Sequence, residues 1–380
     1  MTVAVKQMFD SNVYLQSQTP LPNQELFVTS LLPQVGFAWN PASNFGANLT
    51  YSPEVTFFHS EPEEDFVAHN MTLTLAGYAG KTAYEFTSRL IFIDGNSIGP
   101  TWTGPGGAPA TGGTAVRDRR DAAVYHTGLR VTQSFGTWFA RPVFAFYLHD
   151  FQTEQRSSPG YQNYVDRNEL TIGIDLGWRP NDKTSLWAGY RYGTQNQAKL
   201  LAFPEEYDNT FHRLLFGLEG QPARWLKVSI ALGPEFRHYG SGVPVTFGDH
   251  ELVNLFCDAA VTVTPSTDDA FKLAARQFEQ PGFGGRSAYV DLTYELTWEH
   301  KFSNRWSTDL GGRAYNTAFL QPVVRNDWVL SANMVVNCAI TTHLNVELSY
   351  VYENGLTRNS NALGREYERH VISAGCKYTF

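Results

Sequence analysis

The sequence lacks any apolar run of about 18 residues or more, so it offers no membrane-spanning helix. It is poor in methionine, with 4, and in cysteine, with 3. Cys257, Cys338 and Cys376 lie far apart, in neither CxxC nor zinc spacing. That excludes a cysteine metal site and a disulfide-dense scaffold. Each falls on the apolar phase of a strand-like run and reads as a small hydrophobe, buried or facing lipid. Basic charge is also short: 29 Lys and Arg face 37 Asp and Glu, a net charge of −8. Nucleic acid is therefore excluded as a partner, since phosphate binding needs basic patches. There is no P-loop, no GxGxxG after a strand and no metal-ligand cluster, so neither cofactor nor metal is expected. Met1–Asn12 has no continuous apolar core and no clear cleavage site, so it is not expected to be a signal peptide. If the protein is exported, its signal lies outside this sequence.

Aromatic residues are abundant, at 14% of the chain, while mean hydropathy is only −0.30. That combination suits a surface that is apolar on one face. The 32 glycines point to strands and turns. Alternation with period two dominates. In "YVDLTYELTWEH", Val290, Leu292, Tyr294, Leu296 and Trp298 form one face, and Asp291, Thr293, Glu295, Thr297 and Glu299 the other. "ELTIGIDLGW" and "WLKVSIALG" repeat the pattern. The apolar faces often end in Trp39, Trp178, Trp298 or Trp328, which suits a membrane interface. The opposite face carries ions in mid-strand, too many for a packed core. A water-filled lumen can hold them.

Tight connections such as Tyr78–Lys81, Gly136–Thr137 and Pro180–Lys183 alternate with longer ones such as Gln155–Asn163, Gln197–Glu206 and Asn354–Glu368. Short turns at one end and long loops at the other predict an all-β, up-and-down transmembrane β-barrel. Strand-like segments from Glu25 to Phe380 number about 17, an odd count, and such barrels have even ones. A further strand is therefore expected before Glu25, within "MFDSNVYLQSQ" (Met8–Gln18). That makes about 18 strands, with 16 as the alternative. Residues 1–380 read as one domain. The Gly/Pro/Thr-rich stretch over residues 95–121 is expected to be a long extracellular loop, with folding into the pore left open.

The last strand ends "SAGCKYTF". Ser373, Gly375, Tyr378 and Phe380 resemble the C-terminal assembly signal of bacterial outer-membrane proteins. The resemblance implies recognition by the barrel assembly machinery. "DSNVYLQSQTPLPNQELFVTSLLPQVGFAWNP" resembles the opening of the family known as β-barrel porin 2. Asp10, Asn12, Val13 and Tyr14 match its first strand, and Pro33 and Phe37 its second. That likeness implies a porin-like barrel in the bacterial outer membrane and brings no catalytic residues.

The pore-lining candidates are Glu54, Glu85, Arg89, Arg130, Arg141, Asp175, Arg191, Glu219, Lys227, Asp291, Glu295 and Arg313. In a pore they set ion or solute selectivity; alternatively they pair and pack the barrel interior. Phe58, Trp187 and Tyr315 fall on the same phase and could stack on sugar rings. An enzyme is not expected. His238 and Ser241 give a hydrolase only a faint foothold, and His149 and Asp150 point to opposite faces. The expected function is passive diffusion of small hydrophilic solutes or ions. Exopolysaccharide export or surface assembly is the alternative, and a barrel hydrolase comes third. Expected partners are outer-membrane lipid, the barrel assembly machinery and small hydrophilic solutes or saccharides, and an oligomer is left open.

Overall fold

The computed structural model describes all residues except 14, 16–24, 63–64, 96–120, 153–165, 199–205, 282–287, 322–324 and 359–365. The alternating segments form strands β1 (Thr2–Asp10), β2 (Leu26–Ala42), β3 (Phe45–Phe58), β4 (Phe66–Ala79), β5 (Thr82–Gly95) and β6 (Ala122–Phe135). There follow β7 (Trp138–Phe151), β8 (Arg167–Asn181), β9 (Thr184–Gln197), β10 (Asn209–Ala223), β11 (Leu226–Tyr239) and β12 (Glu251–Val263). The last are β13 (Asp269–Pro281), β14 (Ala288–Lys301), β15 (Trp306–Phe319), β16 (Asn326–Ala339), β17 (Leu344–Arg358) and β18 (Tyr367–Thr379). Each strand pairs antiparallel with its neighbours in sequence, and β1 pairs with both β2 and β18. The result is one closed 18-stranded barrel.

The first strand lies earlier than expected. It is Thr2–Asp10, not Met8–Gln18. Its inner phase includes Ala4 and Met8, and its outer phase Val3, Val5 and Phe9. Both phases carry apolar residues, so the alternation there is weak. Downstream, Leu15 has φ of 52°, which no strand accommodates.

Short turns after β2, β4, β6, β8, β10, β12, β14 and β16 gather at one end of the barrel, here the turn end. Gly80 and Gly136 occupy two of them with φ of 59° and 67°, where a side chain would be strained. The longer connections gather at the opposite, loop end. The 95–121 loop falls almost wholly outside the described residues.

Parity sorts the side chains. The outer surface carries Leu176, Phe216 and Leu348, all exposed, and the three cysteines share that face. Trp39, Trp138, Trp178, Trp225 and Trp306 ring the turn end and are exposed. Towards the loop end, the outer surface repeats one pair three times. Tyr51 bonds His69 at 2.8 Å, Tyr190 bonds His212 at 2.6 Å and Tyr350 bonds His370 at 2.8 Å. An apolar band between aromatic girdles is the outside of a barrel solvated by lipid.

Closure between β18 and β1 is reinforced from within. The Arg369 guanidinium donates to Asp10 at 2.5–3.1 Å and to Glu353 at 3.0 Å, joining β1, β17 and β18. All three side chains are largely buried. Lys6 and Glu347 pair at 3.1 Å nearer the turn end, but with more exposure. Arg369→Ala strands two buried carboxylates and should cost about 3–5 kcal/mol of unfolding free energy. Lys6→Ala should cost about 1 kcal/mol or less. Urea unfolding of the detergent-folded barrel separates the two.

Candidate functional site: the barrel lumen

The strand register places every pore-lining candidate on the inner phase. Glu54 is on β3, Glu85 and Arg89 on β5, Arg130 on β6, Arg141 on β7 and Asp175 on β8. Arg191 is on β9, Glu219 on β10, Lys227 on β11, Asp291 and Glu295 on β14, and Arg313 on β15. Glu85 lies across from Arg130, Arg141 from Asp175, and Glu295 from Arg313. Most of the candidates then divide into two kinds.

The first kind is paired into the wall. Arg141 donates through Nε to Asp175 at 2.8 Å and through Nη1 to Glu219. The other oxygen of Asp175 faces Arg191 at 2.6 Å, and Arg130 lies 3.9 Å from Glu219. Arg141 and Asp175 are buried. The Trp187 ring lies against both guanidiniums, 5.2 Å from that of Arg141 and 5.8 Å from that of Arg191. It can lie flat because Gly217 is its cross-strand partner, and a Cβ there would sit inside the ring. Phe139 covers Gly177 and Phe211 covers Gly193 in the same way. Inward glycines on β8–β10 thus make room for aromatic slabs, with guanidiniums stacked on them.

A second paired network lies towards the loop end, and sequence reasoning missed most of it. Glu235 accepts from Arg213 on β10 and from Arg237 at 2.6 Å. Arg237 also donates to Gln195 at 2.5 Å and to Asn209 at 2.6 Å, and it stands 3.5 Å from Glu279. Glu279 accepts from Tyr239 and Asn254. Arg191 and Arg213 are direct cross-strand partners of like charge. Each is neutralised by its own carboxylate, Asp175 for one and Glu235 for the other. The alternation of "HRLLFGLEG" puts Arg213 in phase with Glu219, a signal that was available. Strict alternation puts Glu279 on the outer phase, so no pattern could have found it. At the seam, Arg313 joins the Arg369 cluster through Glu353 at 3.6 Å.

The second kind stays open to solvent. Glu85, Arg89 and Lys227 are exposed. Glu85, Arg89, Lys227 and Glu295 form no ion pair among the described residues. On β5 the inner positions Ala83, Glu85, Thr87 and Arg89 are exposed, whereas Ile91 and Ile93 are buried. The same gradient recurs on β2, from exposed Gln34 to buried Val28 and Leu26. Leu26, Val28, Phe58, Phe66, Ile93, Val124 and Tyr147 form a buried apolar cluster at the loop end. On this side the lumen is therefore open towards the turn end and filled towards the loop end. A cavity of about 540 Å³ continues it upward between Glu85, His126 and Arg130 on one side and Phe256, Arg276 and Phe278 on the other. Of the inner aromatics, Phe58 and Tyr315 are buried and Trp187 is clamped between its two arginines. His238 points outward, 3.9 Å from Glu251, and no hydrogen bond joins it to Ser241.

No family model matches the sequence, and no curated protein matches it. Among solved structures, OccK2 of Pseudomonas aeruginosa in complex with glucuronate is 9% identical, with a TM-score of 0.49, covering 99% of this chain and 97% of that one. A BenF-like porin from Pseudomonas fluorescens Pf-5 is 8% identical, with a TM-score of 0.47, covering 100% and 98%. The siderophore receptor PirA from Acinetobacter baumannii is 8% identical, with a TM-score of 0.44, covering 100% and 80%. The barrel assignment here rests on the strand register itself.

Gly217→Val should cost about 1–3 kcal/mol of stability by overpacking the Trp187 ring. The same change should cost little where Trp187→Ala is already present. A double-mutant cycle in urea reads that coupling.

Proposed function

We propose that this protein is a porin-like channel of the bacterial outer membrane, passing small hydrophilic solutes or ions by passive diffusion. One observation carries the reading. The apolar outside encloses a lumen in which Glu85, Arg89 and Lys227 remain exposed and without ion-pair partners among the described residues. Ions held in that way serve no packing role, and they bias the field in a conducting path. By the convention of such barrels, the turn end faces the periplasm and the loop end the cell exterior.

The C-terminal strand supports assembly by the barrel machinery. Ser373 and Gly375 lie on the inner phase, while Tyr378 and Phe380 are exposed on the outside at the turn end. Phe58 and Tyr315, two of the three candidates for sugar stacking, are buried. His238, the foothold for a hydrolase, faces away from the lumen.

Reconstitution of the folded barrel into planar bilayers should give discrete conductance steps, and folded protein that gives none overturns the proposal. In a salt gradient, Arg89→Glu together with Lys227→Glu should shift the zero-current potential towards cation selectivity without loss of folding.

A further inference from the structure

The barrel wall parts at one place. β12 and β13 pair from Val263 with Phe271 up to Cys257 with Gln277, and there the pairing stops. The same register would continue with Phe256 opposite Phe278 and Leu255 opposite Glu279, and neither pair forms. Both strands nevertheless run on. β12 stays paired with β11 as far as Glu251, and β13 with β14 as far as Pro281.

Glu279 shows which way the strands separate. Alternation would aim it at lipid, yet it is 1% exposed. Its carboxylate meets Tyr239, Arg237 and Asn254, all on the inner phase of β11 and β12. Its carbonyl accepts from Arg237 at 3.3 Å and from Gln195 on β9 at 3.4 Å. The upper part of β13 has stepped inside β12, which leaves a slot in the wall. The Cys257–Gln277 pair closes the slot below. A buried cluster of Tyr207, Tyr239, Val243, Phe247 and Ala288, with Leu252 packed on it, closes it above.

The slot has a polarity. Its outer lip carries Val253 and Leu255, which are 68% and 51% exposed. Behind the lip, Phe256 on one strand and Phe278 on the other line the same cavity, and Arg276 lies one position deeper along that inner face. Arg276 meets Asp258 only at 3.5 Å in a partly exposed pair, so its charge is weakly compensated. The β12 edge from Glu251 to Phe256 has no strand partner on this side among the described residues. Apolar lips and a cation behind them match one kind of molecule.

We propose that the slot between β12 and β13 is a lateral portal that binds a single-chain anionic amphiphile from the outer leaflet. The acyl chain lies between Val253, Leu255, Phe256 and Phe278, and the carboxylate reaches Arg276. This portal requires only the barrel and its membrane, and it stands whether or not the lumen conducts.

The test uses the wild-type barrel in phosphatidylcholine vesicles, with a long-chain fatty acid bearing a diazirine beside its carboxylate. After irradiation, adducts are mapped to residues by mass spectrometry. Adducts are expected on the inward Phe256 and Phe278. Excess unlabelled fatty acid should remove them, and Arg276→Gln should lower them several-fold in a barrel that retains its heat-modifiable mobility. Labelling of outward Leu310 and Leu348 should persist in each case. Adducts confined to outward residues overturn the portal. So do inner adducts that fail to compete or that are unchanged in Arg276→Gln.

Discussion

A strand edge left open in a membrane wall is costly, and most of this structure follows from that. An antiparallel ring avoids one only if its last strand pairs with its first. Here β18 pairs with β1 along Thr2–Asp10, and Arg369 fastens the junction by holding Asp10 and Glu353 together. Closure fixes two faces for every strand. Period-two alternation then decides which residues meet lipid and which meet the lumen.

The lumen inherits a charge problem from this division. Its inner phase holds many ions, and a low-dielectric interior tolerates them only when they are paired. Between β7 and β11 they are paired so fully that Arg191 and Arg213 can face each other across adjacent strands. Aromatic slabs seated over glycines carry the guanidiniums and thicken that side of the wall. At the turn end the ions are left to water. One inner face therefore combines structural filling with a charged, solvated region, and position along the strand decides between them. The step of β13 behind β12 is held by Glu279, the residue that departs from the alternation.

Much of the fold was legible because alternation and turn length are local signals. The tight turns predicted at Tyr78–Lys81 and Gly136–Thr137 lie where the strands reverse. The strand before β2 was demanded by parity but placed too late, since Ala4 and Met8 blur the contrast between faces. The pairing of the ions was not legible. Arg141 and Glu219 are 78 positions apart, and Asp10 and Arg369 are 359 apart. Which acid meets which base depends on shear and rotamer, and a single sequence carries neither. Glu279 was hidden for a different reason, because a strand that leaves the wall no longer obeys the wall's parity.

The central claim is that water and solutes contact the turn-end ions while the paired wall excludes them. In a background with Cys257, Cys338 and Cys376 replaced by serine, single cysteines at Thr87 and Leu215 test it directly. Both side chains lie on the inner phase, but Thr87 is exposed and Leu215 is buried. A charged methanethiosulfonate added during bilayer recording should change the current of Thr87→Cys and leave that of Leu215→Cys unchanged. A current that responds at Leu215→Cys, or at neither position, would contradict the account.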